Sequence, residues 1–183
     1  MSWHSLSGIG PKQFRCGHCG FNVANDKGYF MEGGARGRIY VCPNCDKPTY
    51  FDPNARQYPG VVPGNEVQHL PPELEQLYRE ARNCCSLSAY TASVLSTRKM
   101  LMNIAVQQGA AEGLKFIEYV EFLAANGFIP PNGKGWVDHI RKKGNEATHE
   151  IELMAQSDAE ELIAFTEMLL KFIYEFPSRV PSP

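Results

Sequence analysis

The residues best suited to chemistry are four cysteines arranged in two C-x-x-C pairs. Cys16 and Cys19 form the first pair, and Cys42 and Cys45 form the second after 22 intervening residues. Each motif fits a tight turn that directs two sulfurs at one point, and two such turns place four thiolates at the corners of a tetrahedron. This donor set is typical of Zn²⁺. Because four thiolates leave no open coordination position, we expect a structural zinc site rather than a catalytic one.

Two other uses of paired cysteines fit the sequence less well. A redox dithiol needs only one C-x-x-C motif and a βαβ context, which is missing here. A disulfide-rich exported protein would carry a secretory signal, and residues 1–14 show no basic segment followed by an apolar one. We therefore expect a reducing, cytoplasmic environment. The adjacent Cys84 and Cys85 extend an apolar helix face and are expected to be small core residues.

The cysteine spacing and the short strands around it resemble a zinc ribbon. A segment of this size has too small a core to fold alone, so metal binding would supply much of its folding free energy. Basic and aromatic residues lie near the ligands in sequence: Lys12, Arg15, Lys27, Arg36 and Arg38, with Phe14, Tyr29, Phe30 and Tyr40. They predict a face that stacks bases, with Arg36 and Arg38 as nucleic-acid-binding residues. The alternative is a solvated surface on a ribbon that packs against its neighbour.

Composition divides the chain into three parts. The sequence predicts a small β zinc ribbon at residues 1–52, a proline-rich linker at 53–71 and an all-α helical bundle at 72–183. No apolar run approaches the roughly 20 residues that span a bilayer, so we expect no membrane association.

Charge is unevenly distributed between the two halves. Residues 1–65 carry seven Lys and Arg against four Asp and Glu, whereas residues 66–183 carry eleven against sixteen. Four thiolates with one Zn²⁺ contribute two negative charges, which leaves the ribbon at about +1. The protein is therefore not expected to coat nucleic acid by charge alone.

Helix signals follow the linker. Pro72 fits the first turn of a helix, and apolar residues at steps of three and four predict a second helix that begins near Leu87. Asn126-Gly127 indicates the end of a third helix. Ser157 and Glu160 form the capping-box pattern that predicts the start of the last helix.

A second candidate site lies in the helical half. Gly144-Asn145 predicts a break followed by a helix N-cap, so Asn145 and His149 lie four residues apart on one helix face. His149 is about 200° around the helix from the apolar Ala147, so it points away from the core stripe. It is either exposed or meets a partner subunit, a ligand or RNA. The preceding basic run, residues 141–143, is either a solvated face or a patch that contacts phosphates.

From about residue 70 to 180, some 60% of its length, the chain resembles the HEPN-like domains of stand-alone bacterial and phage proteins and of restriction-enzyme subunits. The resemblance rests on residues 77–81, the 90–102 helix with Arg98, Ile140-Arg141 leading into residues 144–149, and the final Phe176-Pro177. It implies a four- or five-helix bundle, commonly dimeric, for which a zinc ribbon is a known companion. Many HEPN proteins are metal-independent ribonucleases of toxins and antiviral defence. A homodimer with a role in phage–host defence is therefore expected.

Active HEPN proteins place an Arg before the His with four to six residues between them. The His assists proton transfer at the 2′-hydroxyl or the leaving oxygen, and the Arg stabilises charge on the phosphate. In this sequence the three permitted positions hold Lys142, Lys143 and Gly144, and seven residues separate Arg141 from His149. A lysine supplies charge without the planar guanidinium fork. The binding element is thus retained better than the catalytic one.

Two functions follow from this resemblance. The first is a non-catalytic binding module that recognises RNA, DNA or a protein partner through the ribbon and the face of Asn145 and His149, with Lys142 as a nucleic-acid contact. The second is a divergent endoribonuclease in which His149 and Asn145 act with Lys143 or Arg141. The lack of an Arg at positions 142–144 favours the first.

Overall fold

The chain contains two structural units, which the computed structural model describes over residues 3–33, 37–130, 135–136 and 153–180. The first comprises Met1–Val62 with Ser86–Ser88, and the second comprises Pro63–Cys85 with Ala89–Pro183. The predicted fold class is confirmed, because an antiparallel sheet that carries a cysteine cluster precedes a helical region. The domain boundaries near residues 52 and 72 stay predictions.

The first unit is a five-stranded antiparallel meander in the order β1-β2-β3-β4-β5. Its strands are β1 (Ser7–Arg15), β2 (Asn22–Phe30), β3 (Arg38–Val41), β4 (Pro48–Phe51) and β5 (Gln57–Tyr58). β-Branched and aromatic residues dominate β3 and β4, as expected for strands. Because each strand pairs with its neighbour in sequence, the turns after β1 and β3 lie at the same end of the sheet and bring the two cysteine pairs together.

One face of the sheet forms the core of the first unit. The rings of Phe14, Tyr40 and Phe51 contact one another, with centroid separations of 6.0, 5.4 and 5.8 Å. The buried cluster also contains Ile9, Cys16 and Cys42. Gly28 lies opposite Tyr40, and a Cβ atom on it would lie 1.9 Å from the carbonyl oxygen of Ile39. Glycine is therefore required where these two strands approach each other.

The second unit is helical. Its described helices are α1 (Pro72–Ser86), α2 (Tyr90–Gln107), α3 (Phe116–Ala125), α4 (Gln156–Leu170), a π-helical segment (Lys171–Glu175) and α5 (Phe176–Arg179). α1 begins at Pro72 and α3 ends before Asn126 and Gly127, as predicted. α2 packs against α3 and α4, and the hydroxyl of Ser93 in α2 donates to the carbonyl of Ala81 in α1 at 2.8 Å. Among the described residues, no helix is long and apolar enough to cross a membrane.

Two predicted helix starts are wrong. α2 begins at Tyr90, and Leu87 lies before it with 64% of its surface exposed. α4 begins one residue before Ser157, because the carboxylate of Asp158 accepts the N–H of Ala155 at 2.9 Å. This bond satisfies the N-cap N–H, so the helix cap is formed by a different pair from the one the sequence pattern predicted.

Two carboxylates fix the segment before α1, residues 63–68, here called the strap. Glu167 in α4 accepts the backbone N–H and the side-chain amide of Asn65 at 2.8 and 2.9 Å. Glu175 in the π-helical segment accepts the N–H of Gln68 at 3.1 Å. From α1, the hydroxyl of Tyr78 donates to the carbonyl of Asn65 at 2.9 Å. The end of the predicted linker is thus bound to the helical unit.

Candidate functional site

Both cysteine pairs lie in turns of the same construction. In each turn the N–H of the leading cysteine, Cys16 or Cys42, donates to the carbonyl five residues ahead at 2.9 Å. Its carbonyl accepts the N–H of the residue four ahead, Gly20 or Asp46, also at 2.9 Å. Gly20 and Asp46 both adopt positive φ angles, of 73° and 56°. Two matching turns therefore present their sulfurs from opposite sides of one point.

The four sulfurs have the geometry of a tetrahedral metal site. All four cysteines are free, and their Sγ atoms lie within 4.8 Å of one another. The Sγ atoms of Cys16 and Cys45 are 3.8 Å apart, and those of Cys19 and Cys42 are 3.7 Å apart. A tetrahedron with metal–sulfur bonds of about 2.3 Å has edges of about 3.8 Å. The sulfurs are too far apart for disulfides, whose bond is about 2.05 Å, and the donor set fits a thiolate-bound metal ion.

The pKa values of Cys19, Cys42 and Cys45 support the same interpretation. Burial, together with the neighbouring thiols, raises the pKa of Cys45 to about 12. Burial likewise raises the pKa of Cys42. The pKa of Cys19 falls to about 6, because hydrogen bonds from Phe21 and Asn44 outweigh its burial. Four adjacent thiolates repel one another, so a cation is needed for all four to be ionised together.

Neighbouring residues complete the turns. The N–H of His18 donates to the Sγ of Cys16 at 3.4 Å, while the ring Nε2 of His18 lies 3.0 Å from the carbonyl oxygen of Pro48. The ring of His18 thus contacts the backbone of Pro48 and does not belong to the cysteine cluster. A Cβ atom on Gly17 would lie 2.4 Å from the carbonyl oxygens of Pro59 and Gly60, so only glycine fits between the ligands.

The outer face of the sheet, opposite the buried rings, carries a row of paired side chains. Tyr29 pairs with Ile39, Ile39 pairs with Tyr50, and Tyr50 pairs with Tyr58. All four are partly exposed. The rings of Tyr50 and Tyr58 are stacked at 6.1 Å, and Trp3 extends the row with its ring 6.2 Å from that of Tyr29. We call this row, which consists of Trp3, Tyr29, Ile39, Tyr50 and Tyr58, the aromatic row.

Two residues of the predicted basic, aromatic face belong to the core of the sheet. Phe14 and Tyr40 are 8% and 1% exposed and belong to the core, so they cannot stack bases. Successive side chains of a strand point to opposite faces of the sheet, so Tyr40 lies on the core face and Ile39 lies on the outer face with the aromatic row. Arg38 shares the core side, with its Nη1 3.5 Å from the hydroxyl of Tyr40. Arg36 lies outside the described residues.

A comparison with protein families assigns the helical half. A model described as "Domain of unknown function (DUF4145)" matches residues 79–182, more than half of the chain. The chain belongs to the DUF4145 family. Neither the curated proteins nor the solved structures contain a significant match. The DUF4145 region begins within α1 and runs through α5, so it excludes the cysteine cluster.

The DUF4145 region contains the predicted catalytic residues and the predicted nucleic-acid contact Lys142. Arg141, Lys142, Lys143, Asn145 and His149 all lie outside the described residues, and their roles stay predictions.

Two further residues were not identified as site candidates from the sequence. Tyr58 falls in the predicted linker, where nothing in the sequence indicates its pairing with Tyr50. Arg98, in the DUF4145 region, is buried in the helical unit. A signal existed for Arg98, because it follows Val94 by four residues and precedes Leu101 by three, which places a charge on the apolar stripe of α2.

Proposed function

We propose that this protein is a zinc-containing nucleic-acid-binding protein that recognises single-stranded RNA on the aromatic row of its sheet. The single observation that carries this proposal is the in-register pairing of Tyr29, Ile39, Tyr50 and Tyr58 across four strands. The three inter-strand steps give the row a length of about 14 Å. Known RNA-binding domains stack two or three single-stranded bases on aromatic side chains of a sheet.

The metal in this proposal is one structural Zn²⁺ held by Cys16, Cys19, Cys42 and Cys45. Zinc prefers a tetrahedral set of thiolates, and a four-thiolate site is closed to water and substrate. Zinc would therefore supply folding free energy rather than chemistry. It would hold the turns after β1 and β3 together, and these turns fix the strands that carry the aromatic row.

Stacking, rather than charge, would provide most of the affinity. The first 65 residues have a small excess of basic residues, and a thiolate-bound Zn²⁺ reduces it to about +1. Stacking on an aromatic ring contributes about 1–3 kcal/mol per base and tolerates sequence changes. Arg56 adds a guanidinium 5.7 Å from the centre of the Tyr58 ring, at the end of the row. The affinity should therefore fall only weakly with salt.

The helical half enters the proposal through its resemblance to HEPN domains. We place the protein among HEPN-like RNA-binding proteins of prokaryotic or phage defence, and the expected homodimer stays a prediction. Cleavage by His149 is the alternative outcome of the experiment below.

Fluorescence anisotropy with a labelled single-stranded RNA of about 12 nucleotides tests the proposal. We expect a Tyr50→Leu, Tyr58→Leu double variant to bind at least roughly tenfold more weakly than wild type, because it loses two rings but keeps apolar packing. Phe21→Leu removes an exposed aromatic side chain from a turn outside the row and should bind as wild type does.

Equal affinity of the double variant and wild type, at equal zinc content, would contradict the proposal. A protein that binds no RNA but captures a protein through the row would also contradict it. RNA cleavage in EDTA that disappears in His149→Ala, with unchanged folding and zinc content, would instead support the ribonuclease.

A further inference from the structure

Arg98 is a charged residue at a core position of α2. It is 9% exposed, and its neighbours on the same helix face, Val94 and Leu101, belong to the apolar core. Thr97 beside it is also buried, but its hydroxyl donates to the carbonyl of Ser93 at 2.8 Å. Arginine is seldom buried unless a carboxylate or several carbonyls satisfy its five N–H groups.

Arg98 has no such partner among the described residues. Its Nη1 atom is buried and makes no hydrogen bond. Arg82 shows how an arginine of the same unit is satisfied, because its Nε and Nη2 donate to the carbonyls of Pro63 and Gly64 at 2.7 and 3.0 Å. Within the described part of the chain, the other buried side-chain atoms without a partner are the hydroxyls of Thr49 and Thr166, which are uncharged. Among the described residues, Arg98 is therefore the one charged group with a buried N–H donor that lacks an acceptor.

The guanidinium lies beside the first turn of α3. Its Cζ is 4.4 Å from the centre of the ring of Phe116, the first residue of that helix. The N–H groups of Glu118 and Tyr119 bond to the carbonyl of Lys115, which leaves those of Phe116 and Ile117 without an acceptor among the described residues. The guanidinium therefore contacts the first residue of α3, whose N-terminus is the positive end of the helix dipole.

The remaining charges at this helix start are exposed. Glu118 accepts the N–H of Lys115 at 2.6 Å, and both side chains lie in solvent. The carboxylate of Glu118 is thus engaged by the helix cap. The ring of Phe116 attracts the cation but accepts no conventional hydrogen bond. Burial lowers the pKa of Arg98, because desolvation disfavours the charged guanidinium.

We propose that Arg98 and the first turn of α3 form a binding site for an anionic phosphate group. A phosphate group carries several oxygens, which can accept from a guanidinium fork and from helix N-terminal N–H groups. Arg98 keeps 9% of its surface exposed, and in this proposal the ligand enters from that side. The phosphate comes either from an RNA backbone or from a free phosphate compound. The site lies in the helical unit and does not depend on the aromatic row.

Thermal unfolding of the full chain in inorganic phosphate, at constant ionic strength, tests this site. We expect the melting temperature of wild type to rise with phosphate concentration, because the ligand binds the folded state. Arg98→Met should bind phosphate roughly tenfold more weakly or worse. Without phosphate it should melt at the same temperature as wild type or higher, since an uncompensated buried charge has been removed. Lys99→Met removes an exposed charge from the next position of α2 and should respond to phosphate as wild type does.

A purely structural Arg98 gives the opposite pattern. Arg98→Met would then melt at a lower temperature, and neither protein would respond to phosphate. If Arg98→Met does not fold, Arg98→Lys replaces it, because it keeps the charge but loses the fork and should bind phosphate several-fold more weakly. A wild-type protein that responds to neither phosphate nor RNA would also overturn the site.

Competition identifies the source of the phosphate. If phosphate weakens RNA binding in wild type but not in Arg98→Met, the site receives the RNA backbone. If phosphate binds through Arg98 and leaves RNA binding unchanged, the site receives a free phosphate compound. The Tyr50→Leu, Tyr58→Leu variant should keep its phosphate response, so failure of the aromatic row and failure of this site can be distinguished.

Discussion

At the residue scale, the strap depends on the ionised carboxylate of Glu167. Burial would raise its pKa, but hydrogen bonds from Lys171 and Asn65 outweigh burial and lower the pKa below its usual value. A carboxylate with a lowered pKa in the folded state contributes stability above its unfolded pKa. That contribution is lost as the pH falls through the folded pKa.

We therefore predict that Glu167→Gln lowers the free energy of unfolding by about 1–3 kcal/mol at pH 7. The difference from wild type should begin to shrink as the pH falls below the ordinary Glu pKa of about 4.3, and it is lost only below the lowered folded pKa. Urea unfolding followed by helical circular dichroism at several pH values measures both effects. Glu112→Gln, at an exposed turn position, should change stability by less than about 0.5 kcal/mol. A constant difference across this pH range would contradict the role of the charge.

At the element scale, the close approach of β2 and β3 at Gly28 fixes the position of the aromatic row. The carbonyl of Ile39 occupies the space that a Cβ atom on Gly28 would need. The same two strands carry the Tyr29 and Ile39 pair one position away. Any shift at Gly28 therefore moves the row as well as the core.

We predict that Gly28→Ala destabilises the sheet by about 1–3 kcal/mol or more, because a methyl group would be forced against the backbone. Gly8→Ala is the matched control in β1, where a Cβ atom meets nothing within 4 Å, and it should be close to neutral. Zinc release during heating, followed with a colorimetric chelator, reports on the sheet. Equal release temperatures for the two variants would show that β2 and β3 can separate at no cost.

Local patterns predicted the elements better than the pairing between them. The cysteine cluster follows from two spacings, and α1 and α3 follow from Pro72 and Asn126-Gly127, because each signal acts within a few residues. Strand register joins residues up to 21 positions apart, such as Ser7 and Gly28, and depends on packing that sequence periodicity does not contain. For the same reason Tyr40 was expected on a binding face although it belongs to the core.

At the scale of the whole molecule, the two units rest on different sources of stability. The core of the first unit contains two of the proposed metal ligands, Cys16 and Cys42. The helical core contains none of the four and consists mainly of aliphatic and aromatic side chains. Loss of metal should therefore affect the two units unequally.

We predict that the purified chain contains one equivalent of zinc and that a strong chelator unfolds the sheet while most of the helical circular dichroism signal remains. Elemental analysis gives the metal content, and the loss of the near-ultraviolet circular dichroism signal to which the buried Tyr40 contributes follows the sheet. Cys45→Ser should reproduce the effect of the chelator, whereas Cys84→Ser, outside the cluster, should retain zinc. Less than half an equivalent of zinc together with a normally folded sheet would refute the metal centre.

The order of the strands along the chain also determines when the two cysteine pairs are synthesised. Because β1 to β5 pair in sequence order, hairpins can form as the chain leaves the ribosome. At roughly 5–20 residues per second, the second cysteine pair follows the first by about one to five seconds. During that interval the nascent chain offers only two of the four sulfur donors. An oxidant present at that moment would join Cys16 to Cys19 and leave a finished chain with an intact helical half and no means of holding its metal.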